Sequence, residues 1–290
     1  MTVDKDHVMA EASASAISLG PIGVFDSGYG GLTILRDLRR LLPDYDYLYL
    51  GDNARAPYGS RSFDVVYDYT LQAVKELFSC GCPLVILACN TASAKALRSI
   101  QQRDLPGIDP SRRVLGVIRP TVEILGEVSS SGHVGVLATP GTVASHSYRM
   151  ETLKLFPGMT VTEQECPLLA AIVENSEADG PGADYFVKKY IDLLLERDPE
   201  VDTIVLGCTH YPLLIDKIRQ YAPEGVKILE QGALVAESLK DYLRRHPEME
   251  CRLSRNGGVE FLTSENPDKF DSLAGLFTNH PVRSRRCVLD

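Results

Sequence analysis

Leu84-Val85-Ile86-Leu87-Ala88-Cys89-Asn90-Thr91 and Thr203-Ile204-Val205-Leu206-Gly207-Cys208-Thr209-His210 are the two stretches whose reading decides the fold. Each is a short, continuous apolar run rich in β-branched residues, as in a strand covered on both faces of a parallel sheet. Each run then stops abruptly at a cysteine followed by polar residues. Upstream of each lies a second apolar run, Ile22-Gly23-Val24-Phe25 and Val134-Gly135-Val136-Leu137, so the same two elements recur in the same order. The repetition, unless it is a chance similarity of apolar strands, predicts two related α/β units, each with one cysteine at the carboxyl end of a strand. In open α/β sheets that edge is where ligands bind.

Between these runs the chain alternates strand, turn and helix. A helical stripe through Leu35, Leu38 and Leu42 ends at Pro43. Tyr47-Leu48-Tyr49-Leu50 is a strand, and a helix is expected from about 62 to 78. Val114-Leu115-Gly116-Val117-Ile118 reads as a strand with Arg119 at its end. Further helices are expected near Leu168–Val173, carrying Glu174, and over about 183 to 196. This alternation with short turns predicts an α/β fold of parallel sheets with helices on both faces, and two similar such domains facing each other would enclose the active site in the cleft between them. The expected division is a disordered tail over 1–20, a first domain of 21–115 plus about 228–290, and a second of 116–227.

Composition narrows the function. The 290 residues carry a formal net charge of -9, which disfavours nucleic acid as a partner because phosphate contacts need clustered Lys and Arg. No apolar run approaches the roughly 18–20 residues of a membrane span, and the first 19 residues lack the apolar core of a signal peptide. A cytoplasmic protein is therefore expected, with its seven cysteines as reduced thiols.

Cys89 lies between a buried strand and a helix start, a location expected to lower its thiol pKa. The plainer reading is a small buried hydrophobe, the commonest fate of a free cysteine. The polar Asn90-Thr91 pair favours the chemical reading. Cys208 has His210 beside it, able to share a proton with the thiol, or simply bonded to backbone at a helix start. No cysteine or histidine spacing suits zinc, so no metal is expected. Asp26-Ser27-Gly28-Tyr29-Gly30-Gly31 is a glycine-rich turn whose backbone N–H groups suit an anion such as a carboxylate, with simple helix capping as the alternative.

Four blocks taken together resemble the bacterial glutamate racemase family: Asp26 to Thr33, Pro57-Tyr58-Gly59, Ala88-Cys89-Asn90-Thr91-Ala92-Ser93, and Gly207-Cys208-Thr209-His210-Tyr211-Pro212-Leu213-Leu214. The resemblance covers about residues 21–245. It implies a racemase that supplies D-glutamate for peptidoglycan synthesis without pyridoxal phosphate or metal. By position, Cys89 is implied to act on D-glutamate and Cys208 on L-glutamate. Asp26 is implied to assist the first thiol, and His210 with Glu174 the second. Asp26-Ser27, Pro57-Tyr58-Gly59, Asn90-Thr91 and Thr209-His210 are implied to bind substrate. The turn Thr139–Thr142, with Thr142 as a donor, and Ser147 are the candidates for holding the second carboxylate. Arg119 stands where the family favours an acidic residue. A homodimer and activation by a cell-wall precursor stay open as partners.

The chemistry agrees with that implication. Inverting a stereocentre through a planar carbanion needs a base on one face and an acid on the other, which two thiols from two domains provide. Three other readings remain: a sister enzyme acting on aspartate, hydantoins or malonates, a catalytically silent binding protein, and a thiol redox protein.

Overall fold

The computed structural model describes residues 19–278 and 280–290. The expected tail lies outside the described residues up to 18. Gly20, also assigned to it, is instead buried and bridges through its backbone to Leu253.

Among the described residues ten strands form two sheets, and every strand pairing is parallel. They are β1 (Ile22–Asp26), β2 (Tyr47–Gly51), β3 (Leu84–Leu87), β4 (Arg113–Gly116), β5 (His133–Ala138), β6 (Thr160–Glu165), β7 (Thr203–Gly207), β8 (Lys227–Leu229), β9 (Val259–Thr263) and β10 (Ser284–Arg286). The first sheet runs β10-β9-β2-β1-β3-β4, and the second runs β6-β5-β7-β8. The order β2-β1-β3-β4 is repeated as β6-β5-β7-β8, so the repeated sequence pattern corresponds to a repeated topology. β8 pairs with β7, which places Lys227–Leu229 wholly in the second sheet, across the expected limit at about 228.

β1, β2, β3 and β7 are buried at every position, which explains their unbroken apolar character. The flanking helices are amphipathic. In α1 (Gly31–Leu41), Leu32, Leu35 and Leu38 face the core, and Arg39 and Arg40 sit in the last turn, where cations suit the helix dipole. In α2 (Phe63–Ser79), the Ser62 hydroxyl accepts from the Val65 amide and caps the start. α3 (Asn90–Lys95) follows Cys89 directly.

One expected strand is shorter than its apolar run. β4 ends at Gly116, and Ile118–Glu123 is a helix, α4. Pro120 falls in its first turn, where a missing N–H costs nothing. Arg119 therefore sits on a helix rather than a strand end. It is half exposed and ion-paired to Glu123 at 2.8 Å and Glu151 at 3.4 Å. The strands β6, β8 and β10 escape a sequence reading because they are short or polar and lie at or near sheet edges.

The remaining helices used below are α5 (Pro140–Ser145), α6 (Ser147–Leu155), α7 (Leu169–Glu174), α8 (Pro181–Arg197), α9 (Ile215–Tyr221) and α10 (Gln231–Arg245). The chain leaves the first sheet after β4 and returns after β8 through α10, which packs on α1. In each sheet the connections diverge on either side of one central strand. The switch points fall between β1 and β3 and between β5 and β7, at the strand ends that carry the two cysteines.

Gly135, at the centre of β5, lets α8 pack tightly. A Cβ there would lie 2.5 Å from a methyl of Leu194, which is fully buried and cannot swing away. Gly135→Ala is expected to lower the unfolding free energy by about 1–3 kcal/mol through overpacking. The measurement is the urea midpoint, and an unchanged midpoint would show that the helix yields without cost.

Candidate active site

Both switch points open onto one cavity of about 230 Å³. This is below the ~300–1,000 Å³ of pockets for drug-sized ligands, so its occupant is a small molecule. The first domain contributes Ser27, Ala56, Pro57, Tyr58, Gly59, Ser60, Cys89, Asn90 and Thr91. The second contributes Thr139, Pro140, Pro167, Ala170, Ala171, Glu174, Cys208, Thr209 and His210. One thiol thus enters from each domain, and both cysteines are 6% exposed.

Each thiol has its own surroundings. The Cys89 sulfur lies 3.4 Å from the Ser27 hydroxyl and accepts from the Ala92 amide at 3.4 Å. The short helix start does not lower this thiol's pKa as expected. Burial, reinforced by the neighbouring Asp26 carboxylate, pushes it up to about 12, and the bonds from Ser27 and Ala92 only partly compensate. At neutral pH the Cys89 thiol is therefore protonated.

Asp26 does not line the cavity. It is fully buried at the end of β1, where it accepts from the Gly28 amide at 2.9 Å and the Thr209 hydroxyl at 3.4 Å. The Gly28 amide of the glycine-rich turn thus holds Asp26's own carboxyl group. Burial raises its pKa, opposed by the charge of His210 and by the backbone amides of Gly28 and Gly31.

The Cys208 sulfur lies 3.8 Å from His210 Nδ1, and His210 Nε2 lies 2.9 Å from Glu174 Oε1. Burial resists charging the imidazole, but its bonds to the Cys208 thiol and the Glu174 carboxylate win and hold its pKa well above the usual histidine value. Glu174 reaches this chain because α7 ends at the cavity. The result is a thiol, an imidazole and a carboxylate in sequence, the order in which an activated nucleophile is usually supported.

The two domains close on each other through specific backbone approaches. A Cβ on Gly30 would lie 2.1 Å from Thr209 Oγ1 and 2.6 Å from His210 Nδ1. Gly30 has ordinary right-handed helical dihedrals, so glycine is required there for space and not for an unusual backbone conformation. On the other side of the cavity, the Gly59 carbonyl accepts from the Gly141 amide at 2.7 Å. The buried Tyr58 hydroxyl donates to Asp52, and Lys95 Nζ donates to the Arg61 carbonyl at 2.6 Å, fixing the loop that carries Pro57-Tyr58-Gly59.

Three hydroxyls meet across the domain boundary. Thr91 Oγ1 lies 2.9 Å from Thr139 Oγ1 and 3.3 Å from Thr142 Oγ1, and the last two are 3.1 Å apart. Thr91 and Thr139 face the cavity. Thr142 is fully buried and absent from the lining, so it orients its neighbours. Ser147 is turned away, its hydroxyl donating to the Ala94 carbonyl. Ser60, Pro167, Ala170 and Ala171 line the cavity without having been singled out as binding residues. They border the Pro57-Tyr58-Gly59 and Glu174 blocks, which is the signal that places them. Among the described residues no three or more His, Cys, Asp or Glu side chains cluster as a metal site would need.

Comparison with known proteins agrees with this geometry. A family model described as Asp/Glu/Hydantoin racemase matches residues 23–239. The glutamate racemase of Ruegeria sp. (strain TM1040) is 40% identical over 271 residues, covering 90% of this chain and 97% of that protein. The crystal structure of glutamate racemase isoform RacE1 from Bacillus anthracis superposes with a TM-score of 0.84 at 32% identity, covering 93% of this chain and 98% of that one. Glutamate racemase from Francisella tularensis subsp. tularensis SCHU S4, in complex with D-glutamate, does so with a TM-score of 0.81 at 30% identity, covering 93% and 97%. The chain belongs to the Asp/Glu/Hydantoin racemase family, and within it to the glutamate racemases.

Proposed function

We propose that this chain interconverts L- and D-glutamate by passing the Cα proton between two thiols, Cys208 and Cys89, with no cofactor. The observation that carries the reading is a single small cavity with one cysteine from each domain, each backed by different polar groups. The Francisella relative crystallised with D-glutamate supports the substrate. D-Glutamate made in this way would serve peptidoglycan synthesis, as in the family.

Starting from L-glutamate, the Cys208 thiolate takes the Cα proton and the C–H electron pair moves into a planar carbanion conjugated with the α-carboxylate. The Cys89 thiol then delivers its own proton to the opposite face. From D-glutamate the roles reverse. Cys89, protonated at neutral pH, is already the acid that the first direction requires. For the second it must be deprotonated, with Ser27 and the Ala92 amide available to hold the thiolate and Asp26 to take up the proton. His210, backed by Glu174, holds or takes the proton of Cys208. Hydroxyls of Ser27, Thr91 and Thr209 stabilise the negative charge that spreads into the carboxylate.

Cys89→Ala and Cys208→Ala are each expected to abolish racemisation, measured as decay of the circular dichroism of L-glutamate. Full activity in either variant would sink the two-thiol assignment. In D2O, thiols that exchange with solvent should leave deuterium at Cα of the product enantiomer. Unlabelled product would indicate one shielded base returning the same proton.

The Cys89 environment also sets a pH dependence of stability. The folded-state value of about 12 exceeds the ordinary 9.0, so folding favours the protonated thiol. That contribution is complete below pH 9.0 and is lost as the pH climbs towards about 12. The melting temperature of the unaltered protein, relative to Cys89→Ser, is expected to fall between about pH 8 and about pH 10.5. A gap that stays constant or widens would contradict the buried protonated thiol.

Substrate length provides a further test. In this reading Thr139, oriented by Thr142, bonds the distal carboxylate of glutamate, and the shorter aspartate leaves that donor unpaired at a cost of roughly 1–3 kcal/mol. L-Aspartate is expected to show a kcat/KM lower by about two orders of magnitude, with products resolved on a chiral column. Equal values would move the assignment to a sister racemase.

A further inference from the structure

Asn90 follows Cys89 and faces the cavity, yet its amide is gripped from behind. Its Nδ2 donates to Gln231 Oε1 at 2.6 Å, and its Oδ1 accepts from the Tyr148 hydroxyl at 2.6 Å. Gln231 Nε2 in turn donates to the Tyr148 oxygen at 2.8 Å. The three side chains thus close a ring in which Asn90 donates to Gln231, Gln231 to Tyr148 and Tyr148 to Asn90. The ring is dry: Asn90 is 3% exposed, Gln231 2% and Tyr148 0%. With every member satisfied, such a network is rigid, and removing one member strands the others in a low-dielectric interior.

The origin of the ring members gives it a mechanical role. Asn90 opens α3, just after β3 in the first domain, and Tyr148 lies on α6 in the second. Gln231 opens α10, where the chain returns from the second sheet to the first. Its Nε2 also donates to Thr121 Oγ1 at 2.9 Å and lies 3.3 Å from the Val117 carbonyl. Val117 and Thr121 stand where the chain first leaves the first sheet, and the Thr121 hydroxyl bonds the same Val117 carbonyl. Both interdomain crossings therefore converge on one glutamine, which holds the residue next to Cys89.

We propose that Gln231, together with Tyr148, is a positioning residue for proton transfer at Cys89, locking both crossings onto Asn90 so that the Cys89 turn keeps its place opposite Cys208. This rests on the two-thiol reading above. Gln231 does not line the cavity and touches no reacting atom. It acts through geometry, where a misplacement of about 1 Å can cost on the order of a hundredfold in rate.

The test is a double-mutant cycle on glutamate racemisation in both directions. Gln231→Leu is expected to lower kcat about 10–100-fold with KM changed less than about threefold. In an Asn90→Ala background the same change should cost less than about twofold more, because both act through one ring. Tyr148→Phe, which keeps the buried ring volume, should show the same non-additivity, and it carries the cycle if Gln231→Leu does not fold. A loosened Cys89 turn should also raise the isotope effect on Cα-deuterated D-glutamate relative to L-glutamate, the asymmetry that a mere loss of folded protein does not produce. Losses that multiply independently, or isotope effects that shift equally for both enantiomers, would overturn the clamp alone. Absence of glutamate racemisation by the unaltered protein would overturn the two-thiol reading and the clamp with it.

Discussion

The site depends on a position that has no side chain. At Gly30 a single methyl would overlap the Thr209 hydroxyl and the His210 ring. Because the methyl is missing, the turn after β7 can lie directly against the turn after β1. That approach brings Thr209 within reach of Asp26 and lets His210 influence the same carboxylate. Together with the Gly59–Gly141 approach on the other side, it sets both switch points against one cavity.

Closure also sets the electrostatics. Asp26 and His210 are each buried, with opposite sense of charge, and each is placed beside a different thiol. The Asp26 side raises the Cys89 thiol, so Cys89 keeps its proton. The His210 side adds a cation anchored by Glu174. The two halves share a topology but not a charge pattern. On the reading proposed above, this asymmetry gives each thiol its own acid–base partner. Water exclusion strengthens every one of these interactions, since the same charges in bulk solvent would be screened.

The fold was legible in the sequence to a large extent because buried parallel strands advertise themselves. Leu84–Leu87 and Thr203–Gly207 are apolar throughout, and each ends at a polar turn. The Val114 to Ile118 run misled because apolar residues also bury one face of a helix start, and nothing local marks the change at Gly116. Lys227–Leu229 was invisible for the opposite reason: three partly exposed residues become a strand only by pairing with β7.

The sequence by itself determined the α/β class, the repeated units, and Asp26, Cys89, Cys208 and His210 at or just after strand ends. These follow from local periodicity and from residue types that only certain chemistry uses. Tertiary structure alone decided what those residues experience. Cys89 looks activated by a helix start in sequence, but burial beside Asp26 raises its pKa instead. Asp26 reads in sequence as a helix cap or a substrate-binding carboxylate, but it is fully buried and held by Gly28 and Thr209. Gln231 carries no motif, yet it joins both crossings to Asn90. Desolvation and hydrogen bonding between residues more than a hundred positions apart depend on how the two sheets pack, and no local pattern encodes that.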